Sequence, residues 1–305
     1  MGLLLLAACA NDDEPTGQQV PNAYPLTIEV TENPLIPDGE EGSSTRAAIT
    51  TKSSLTTFNL DYVYGDEYTG SVSVNNDNGT WTTSGSWPTG AGVDEMVNWY
   101  ASTDGIFYAN ADNPYISFSV DENAAATKDL LVAKTSGTRN GTNGNIAFTF
   151  DHACAALRFE IKKSTNLNAY TVNVSNVKLC KVLKSAKYYW SSNTWVDYNT
   201  PTYTEYTLFN GALSNLSSTN YEAMNAANDY LFFIPQTLTA WTPKSALGNT
   251  YLEITCTISD GGPFNFSGTA YMPFGLTLEK GHKRTVKLII GKNSLLNSSG
   301  TEIVN

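Results

Sequence analysis

The sequence predicts an all-β protein of β-sandwich type, and three observations carry that prediction. Short apolar runs alternate with polar residues at a period of two, as half-buried strands do. Gly, Asn, Asp and Pro recur between the runs, where turns are needed. No window longer than about ten residues has the apolar spacing of an amphipathic helix. The composition agrees, because 17 Tyr, 23 Gly and only 15% charged residues among 305 are typical of β-rich extracytoplasmic proteins.

Residues 1–9 form a predicted lipoprotein signal. A run of leucines at residues 3–6 precedes Ala-Ala-Cys, the form of a secretory signal that ends in a lipid attachment site. Cys9 is therefore the predicted lipidated residue. The alternative is a core strand with Cys9 as a buried thiol, and the run lacks the basic residues that usually open a signal. The extreme N-terminal position favours the signal, and we expect the natural start to lie upstream.

Residues 10–46 combine an acidic tether with one strand. This segment holds eight acidic residues and a single basic one, Arg46. Its beginning is too polar to order itself. Leu26, Ile28 and Val30 then alternate with polar residues, which predicts a strand. A Gly- and Glu-rich loop follows and ends at Arg46 and Ala47. From the residues alone, Arg46 is either a solvated loop arginine or an exposed cleavage point.

Charge and cysteine content exclude several classes of protein. A net charge of −11 argues against nucleic acid as a partner, because phosphate binding needs a basic face. No stretch approaches the roughly 20 apolar residues that span a bilayer, so Cys9 is the only predicted membrane attachment. The remaining three cysteines, Cys154, Cys180 and Cys256, cannot all pair within the chain and lack CxxC spacing.

One strong interruption divides the strand pattern. Residues 137–145 contain two Asn-Gly pairs and no large apolar residue, which is the composition of a linker. We therefore predict an N-terminal β-sandwich domain at residues 47–143 and a C-terminal one at residues 144–305. The apolar alternation also changes phase between Asp151 and Ala156, which predicts a bulge or a crossing between sheets.

Catalytic signals are scarce. The chain has two histidines, of which His152 lies between strand residues, as a structural histidine does, and His282 lies in a predicted exposed turn. The motifs of serine hydrolases, zinc proteases and nucleotide-binding proteins are absent from the sequence. A catalytic pair of carboxylates, as in glycosidases, stays an open alternative because acidic residues are plentiful. The sequence therefore predicts no enzyme, no cofactor and no metal site.

A group of aromatic residues gives a rival function, a surface glycan-binding lipoprotein with a platform on which sugars stack. The group consists of Tyr188, Tyr189, Trp190, Trp195, Tyr198, Tyr203 and Tyr206. The competing interpretation is cross-strand aromatic packing in a sandwich, in which alternation buries about half of the rings.

Several segments together resemble the fimbrillin-like proteins, which build the type V pili of anaerobic Gram-negative bacteria of gut and mouth. They are the lipid attachment site, Ser-Thr-Arg-Ala at 44–47, Asn-Trp-Tyr-Ala at 98–101, Lys-Asp-Leu-Leu-Val-Ala at 128–133, and residues 148–159 with Phe-x-His-Ala and Leu-x-Phe. The resemblance spans nearly the whole chain. The second half, rich in Thr, Asn and Tyr, departs most from the family pattern.

The resemblance implies two tandem transthyretin-like β-sandwich domains and display on the outer membrane through the lipid. It implies a structural or adhesive pilus subunit whose N-terminal segment is removed by an arginine-specific protease. Arg46 and Ala47 then become the cleavage site. Leu26, Ile28 and Val30 become a removable strand.

Removal of that strand would open an apolar groove that a strand of another subunit fills by β-augmentation. The partners implied are other pilus subunits, in a homo- or heteropolymer, and a host protein or glycan as adhesion ligand. The candidate donor strand is the C-terminal segment with Leu295, Leu296, Ile303 and Val304, although Ser298, Ser299 and Gly300 interrupt its alternation.

Overall fold

The computed structural model describes residues 24–37, 55–65, 67–68, 71–110, 113–123, 126–196, 201–225 and 229–304. Within these ranges the regular secondary structure is almost entirely β-strand. The only α-helix described is the single turn α1 (Arg139–Thr142), and short 3₁₀ turns occur at Thr165–Leu167 and Lys292–Ser294. The predicted all-β fold is confirmed. None of the described helices is long and apolar enough to cross a bilayer.

The strands are numbered along the chain. The first eleven are β1 (Thr27–Glu32), β2 (Ile36–Pro37), β3 (Thr57–Tyr64), β4 (Glu67–Tyr68), β5 (Val72–Asp77), β6 (Thr80–Thr83), β7 (Val97–Ser102), β8 (Ile106–Tyr108), β9 (Tyr115–Ser119), β10 (Leu131–Gly137) and β11 (Asn145–His152). The others are β12 (Ala155–Lys163), β13 (Thr171–Leu183), β14 (Ser185–Tyr189), β15 (Thr194–Val196), β16 (Tyr203–Leu213), β17 (Glu222–Ala223), β18 (Leu231–Phe233), β19 (Gln236–Leu238), β20 (Tyr251–Ser259), β21 (Asn265–Pro273), β22 (Leu276–Leu278) and β23 (His282–Ile290).

These strands form four sheets and a two-stranded ribbon. Sheet I has the order β1-β11-β10-β7-β3-β5-β6, with β4 paired to β3. Sheet II has the order β15-β14-β9-β8. Sheet III has the order β17-β12-β23-β2, with β18 paired to β12. Sheet IV has the order β16-β13-β20-β21, and β19 pairs with β22 in the ribbon.

Sheet I curls around a core of its own. Its end strands, β1 and β6, lie beside each other, and Pro25 and Ser86 form a β-bridge next to them. The enclosed hydrophobic cluster, which we call cluster A, contains Ile28, Phe58, Leu60, Val74, Trp87, Val97, Trp99, Ala101, Leu131, Ala133, Ile146, Phe148 and Phe150. Alternation along β1, β3, β7 and β11 brings these side chains to one face of the sheet.

A larger hydrophobic cluster, cluster B, joins the outer face of sheet I to the three other sheets. On β7, Trp99 and Ala101 belong to cluster A, whereas Tyr100 between them belongs to cluster B. Sheets III and IV supply the inward residues of β12, β13 and β20 to the same cluster. Two apolar layers packed face to face are the arrangement of a β-sandwich, so the sandwich prediction is confirmed as well.

The chain crosses between sheets at the position where the apolar alternation changes phase. β11 ends in sheet I at His152, and β12 begins in sheet III at Ala155. Ala153 and Cys154 between them are fully buried. The predicted crossing is therefore confirmed.

The predicted linker at residues 137–145 connects two neighbouring strands of sheet I. It contains α1, whose cap Thr138 accepts a hydrogen bond from Gly141 N, and it ends at Asn143 in the left-handed conformation. The strands that it joins, β10 and β11, are antiparallel neighbours. Sheet II combines β8 and β9, from before residue 143, with β14 and β15, from after it. Strand pairing thus crosses the proposed boundary, and the division into two tandem domains stays a prediction.

Candidate functional site

The N-terminal strand β1 is an edge strand of sheet I. It pairs in parallel with β11 in an unbroken register from Thr27↔Asn145 to Glu32↔Phe150. Side chains reinforce the ladder, since Asn145 Nδ2 donates to Glu29 Oε1 at 2.7 Å and the Thr31 and Thr149 hydroxyls are 2.9 Å apart. β1 stands at the end of the strand order, and among the described strands it pairs only with β11, apart from the Pro25 bridge at its start.

The apolar face of β1 closes cluster A. Ile28 is only 6% exposed, and Leu26 and Val30 are partly buried against the same cluster. These are the three residues that the sequence predicts as the removable strand, and they lie together on one face because strand side chains alternate. We call the surface of sheet I that they cover the β1 groove.

The segment after β1 covers the edge of a second sheet. β2 pairs in parallel with β23, the neighbour of β12 in sheet III. Ile36 N donates to Gly281 O at 2.8 Å, and the Ile36 side chain is 53% exposed. Residues 27–37 therefore line two sheet edges, β11 and β23, with one continuous piece of chain.

A histidine holds the C-terminal end of β1. His152 Nδ1 is hydrogen-bonded to the Asp129 carboxylate, and its Nε2 lies 3.5 Å from Glu32 Oε1. Burial by itself lowers the pKa of His152, but the hydrogen bond and charge of Asp129, the charge of Glu32 and a hydrogen bond to the Asn33 backbone raise that pKa above its ordinary 6.5. The prediction of a structural role for His152 agrees with these contacts.

The turn after β1 is bonded to the same region. Asn33 N donates to Phe150 O at 2.9 Å, and Asn33 Nδ2 donates to Asp151 Oδ1 at 2.7 Å.

The other histidine, His282, is not in an exposed turn as predicted. It opens β23, pairs with Ile36 and is half-buried, because β2 adds to the edge of the sheet at this point.

The predicted donor strand is folded onto its own subunit. Leu296 exchanges two backbone hydrogen bonds with Tyr271 on β21, of 2.7 and 3.1 Å. Leu295 and Val304 are fully buried in cluster B, Leu296 is 5% exposed, and Ile303 packs against the cluster. Ser298, Ser299 and Gly300, which interrupt the alternation, form a turn. We call this folded-back C-terminal segment, residues 292–304, the hook.

Gly300 gives that hook its shape. Its φ of +81° is in the left-handed region, and a Cβ added there would lie 2.2 Å from Lys244 N. Glycine is required both for the conformation and for the close approach of the two backbones. The C-terminal segment is therefore an ordered part of the subunit.

Three predicted site residues, Cys9, Arg46 and Ala47, lie outside the described residues. Lipidation and cleavage stay predictions for this reason. The distance along the sequence from the end of β2 to Arg46 is nine residues.

The predicted aromatic platform is mostly core. Tyr188, Trp190 and Tyr206 are at most 8% exposed, so the platform prediction is wrong for these three rings. Trp195 packs against cluster B and donates its indole N–H to Ala153 O at 2.7 Å. Tyr203 is 55% exposed. Tyr189 is half-buried, and Tyr198 lies outside the described residues.

One group of side chains among the described residues has metal-ligand spacing. The ligand atoms of Cys180, Glu205 and Glu253 lie within 4.8 Å of one another on the outer face of sheet IV. Lys178 Nζ is 3.2 Å from Glu205 Oε2. Burial raises the pKa of the Cys180 thiol to about 12. Exposed acidic groups like this one are common without an ion, so the group carries no metal assignment.

A comparison of sequences assigns the chain to a family. The profile of the fimbrillin-like family matches residues 43–303. The chain belongs to the fimbrillin-like family. The predicted family is therefore confirmed, and family membership supports a role as a pilus or adhesion subunit at the cell surface.

Solved structures with the same fold come from Bacteroides. This fimbrillin-like chain is similar to a fimbrial protein from Bacteroides vulgatus ATCC 8482, with 17% identity, a TM-score of 0.57 and coverage of 88% of this chain and 95% of that chain. It is also similar to a proposed cell adhesion protein from Bacteroides ovatus ATCC 8483, with 16% identity, a TM-score of 0.50 and coverage of 90% and 94%. At such identities the likeness concerns the fold. A search of curated proteins gave no match.

Proposed function

We propose that this fimbrillin-like protein is a structural subunit of a surface pilus that assembles by strand exchange and has no catalytic turnover. The observation that carries the proposal is β1, an edge strand whose apolar face closes cluster A. Loss of β1 would expose that cluster along β11. A strand from another subunit restores both the backbone ladder and the apolar contacts.

An incoming strand gains backbone hydrogen bonds and apolar contacts in the groove. Each ladder hydrogen bond contributes roughly 0.5–1.5 kcal/mol net, and each buried aliphatic side chain contributes roughly 1.5–3 kcal/mol. These gains oppose an ordering cost of about 1–2 kcal/mol per residue of the incoming strand. β11 and β10 already form the groove, so conformational entropy is lost only by the incoming strand.

Cleavage after Arg46 by an arginine-specific protease is the proposed trigger. β1 and β2 both precede this position, so one cut separates the strand that covers two sheet edges from the rest of the chain. The proposed donor is the C-terminal segment of residues 292–305. Because its hook is buried in its own subunit, donation requires Leu295 and Val304 to leave cluster B and Leu296 to leave the edge of β21.

We infer an outer membrane location through lipid on Cys9. Several acyl chains, each contributing about 0.8 kcal/mol per buried CH₂, would hold the precursor at the membrane until it is cut. In a chain expressed with its natural signal, Cys9→Ala should lose the lipid mass and move to the soluble fraction. Unchanged membrane retention of Cys9→Ala would overturn lipidation without affecting the assembly proposal.

The assembly proposal is tested with three proteins treated with an arginine-specific protease. The wild type should be cut and form a ladder of oligomers on size-exclusion chromatography. Arg46→Lys keeps the positive charge but removes the cleavage site, and it should stay intact and monomeric. A chain that lacks residues 294–305 also loses the buried Leu295, Leu296 and Val304, so its fold is checked by circular dichroism first. The folded deletion should be cut but not extend. Cut wild type that stays monomeric in the presence of other subunits would overturn the proposal.

A further inference from the structure

A buried histidine faces the last residue of β1. His152 is 8% exposed, and its Nε2 lies 3.5 Å from Oε1 of Glu32, whose side chain is 27% exposed. The other carboxylate of β1 meets a neutral group, because Glu29 Oε1 accepts from the side-chain amide of Asn145 at 2.7 Å. The C-terminal end of β1 is therefore the place where a charge on the strand meets a group that can carry the opposite charge.

The sheet, rather than β1, holds the imidazole in place. Nδ1 of His152 is hydrogen-bonded to the Asp129 carboxylate, whose side chain is 6% exposed. The backbone at Asp129 is fixed in turn, since Thr103 Oγ1 donates to Asp129 O at 3.2 Å and accepts from Leu131 N at 2.9 Å. All of these residues follow Arg46 in the chain, so they stay in the subunit when the segment before Arg46 leaves. Nε2 then lies at the end of the open β1 groove.

Protonation decides what Nε2 can bind. An ionised carboxylate only accepts hydrogen bonds, so Nδ1 donates to Asp129, and in the neutral imidazole Nε2 is then an acceptor. Only the imidazolium donates from Nε2 to a carboxylate. Burial lowers the pKa of the imidazole, but the two carboxylates beside it, of Asp129 and Glu32, and a hydrogen bond to the Asn33 backbone raise that pKa above its ordinary 6.5. The Cys154 thiol, which also contacts Asp129, stays neutral because burial raises its pKa well above the ordinary value.

We propose that His152 is a specificity-determining residue of the β1 groove and pairs with a carboxylate that the strand of another subunit carries at the position of Glu32. This inference rests on the proposed strand exchange and names the chemistry of the partner strand: apolar side chains at the positions of Ile28 and Val30, followed two residues later by Asp or Glu. In β-augmentation the backbone provides affinity and side-chain contacts provide specificity. A neutral side chain would leave Nε2 of the imidazolium without an acceptor, and Lys or Arg would place two positive charges together.

The test compares peptides on one receiving subunit, so the fold of the receiver is the same throughout. Protein cut after Arg46 is loaded with a labelled peptide that copies residues 24–37, and dissociation is followed after an excess of unlabelled peptide is added. At pH 5.5 the Glu32→Gln peptide should dissociate about tenfold faster than the wild-type peptide, because a hydrogen bond to a charged group is lost. The matched control, Glu29→Gln, keeps an acceptor for Asn145 Nδ2 and should stay within about twofold of the wild-type rate.

A change of pH separates the ion pair from ordinary packing. The advantage of the wild-type peptide over Glu32→Gln should disappear as the pH rises to 8.5, because the imidazole loses the proton on Nε2. In a subunit with His152→Gln, whose fold is checked by circular dichroism, the tenfold ratio should be absent at both pH values. A tenfold ratio that persists at pH 8.5, or in the folded His152→Gln subunit, would overturn the role of His152.

The outcomes also distinguish carboxylate pairing from strand exchange itself. If all three peptides bind and dissociate at equal rates at pH 5.5, carboxylate pairing is overturned and strand exchange at β1 stays supported. If none of the three peptides binds, strand exchange at β1 is overturned, and carboxylate pairing with it.

Discussion

The imidazole of His152 joins the last residue of the edge strand, Glu32, to the interior of sheet I. Its Nε2 is 3.5 Å from Glu32 Oε1, while its Nδ1 is bonded to the Asp129 carboxylate, whose side chain is 6% exposed. The same histidine belongs to the Phe-x-His-Ala motif. It contacts both β1 and the sheet beneath it.

The contribution of His152 to stability should depend on pH. Its pKa is raised in the folded protein above 6.5, so the stabilisation is complete below about pH 6.5 and is lost as the pH rises through the folded value. His152→Gln should lower the free energy of unfolding by about 1–3 kcal/mol at pH 5.5 and by less at pH 8.5. Urea unfolding at both pH values measures the difference. His282→Gln is the control, and an equal loss at both pH values for His152→Gln would contradict the ion-pair account.

Asp61 should show a pH effect of its own. It is 2% exposed, and burial raises its pKa to about 6 although Ser71 Oγ donates to both carboxylate oxygens. The folded state therefore favours the neutral carboxyl, and stability falls as the pH rises from about 4 to above 6. Asp61→Asn should match the wild type at pH 4 and be more stable by about 1–3 kcal/mol at pH 7.5. If Asp61→Asn is less stable than the wild type, and the loss is larger at pH 7.5 than at pH 4, this explanation of the pH effect is contradicted.

Truncation of β1 should cost stability according to burial. Ile28→Ala removes a side chain that is 6% exposed, and we expect a loss of about 2–4 kcal/mol in the free energy of unfolding. Ile36→Ala makes the same chemical change at a side chain that is 53% exposed and should stay within about 0.5 kcal/mol of wild type. Equal losses at both positions, measured by urea unfolding, would show that β1 does not close the core.

The C-terminal hook should behave as core rather than as a tail. Leu295→Ala should cost about 2–5 kcal/mol, because the side chain is fully buried in cluster B. Gly300→Ala should also destabilise, since the new Cβ would meet the Lys244 backbone in a left-handed conformation. Ser298→Ala, in the exposed turn, is the neutral control. A Leu295→Ala variant as stable as wild type would mean that the hook is detached in solution.

Alternation alone was sufficient to predict most of the strands. β3, β7, β9, β11 and β20 follow apolar residues with a period of two, and the phase change after Phe150 marked the crossing between sheets. The two-residue strands β2, β4 and β17 are too short to give a period. They exist because a neighbouring edge is available, which is a tertiary effect.

The site was only partly predictable for a similar reason. Leu26, Ile28 and Val30 have a local pattern, so the edge strand was visible in the sequence. The partners of His152 are Asp129, which is 23 residues away, and Glu32, which is 120 residues away, and only the fold brings them together. The Asn-Gly pairs that suggested a linker lie in the connection between β10 and β11, because turn residues serve hairpins as well as domain boundaries. The C-terminal hook depends on the contact of Gly300 with Lys244, which no local pattern shows.

The proposed assembly requires β1 to leave sheet I before a strand of another subunit can enter. Thr31 and Thr149 are register partners on β1 and β11, and their hydroxyl oxygens are 2.9 Å apart. A Thr31→Cys/Thr149→Cys double variant can therefore be locked by oxidation and released by reduction, while the three described native cysteines are buried. After cleavage at Arg46, the reduced double variant should form oligomers like wild type, whereas the oxidised one should be cut and stay monomeric on size-exclusion chromatography. Oligomers that form equally well with the disulfide intact would contradict strand exchange at β1.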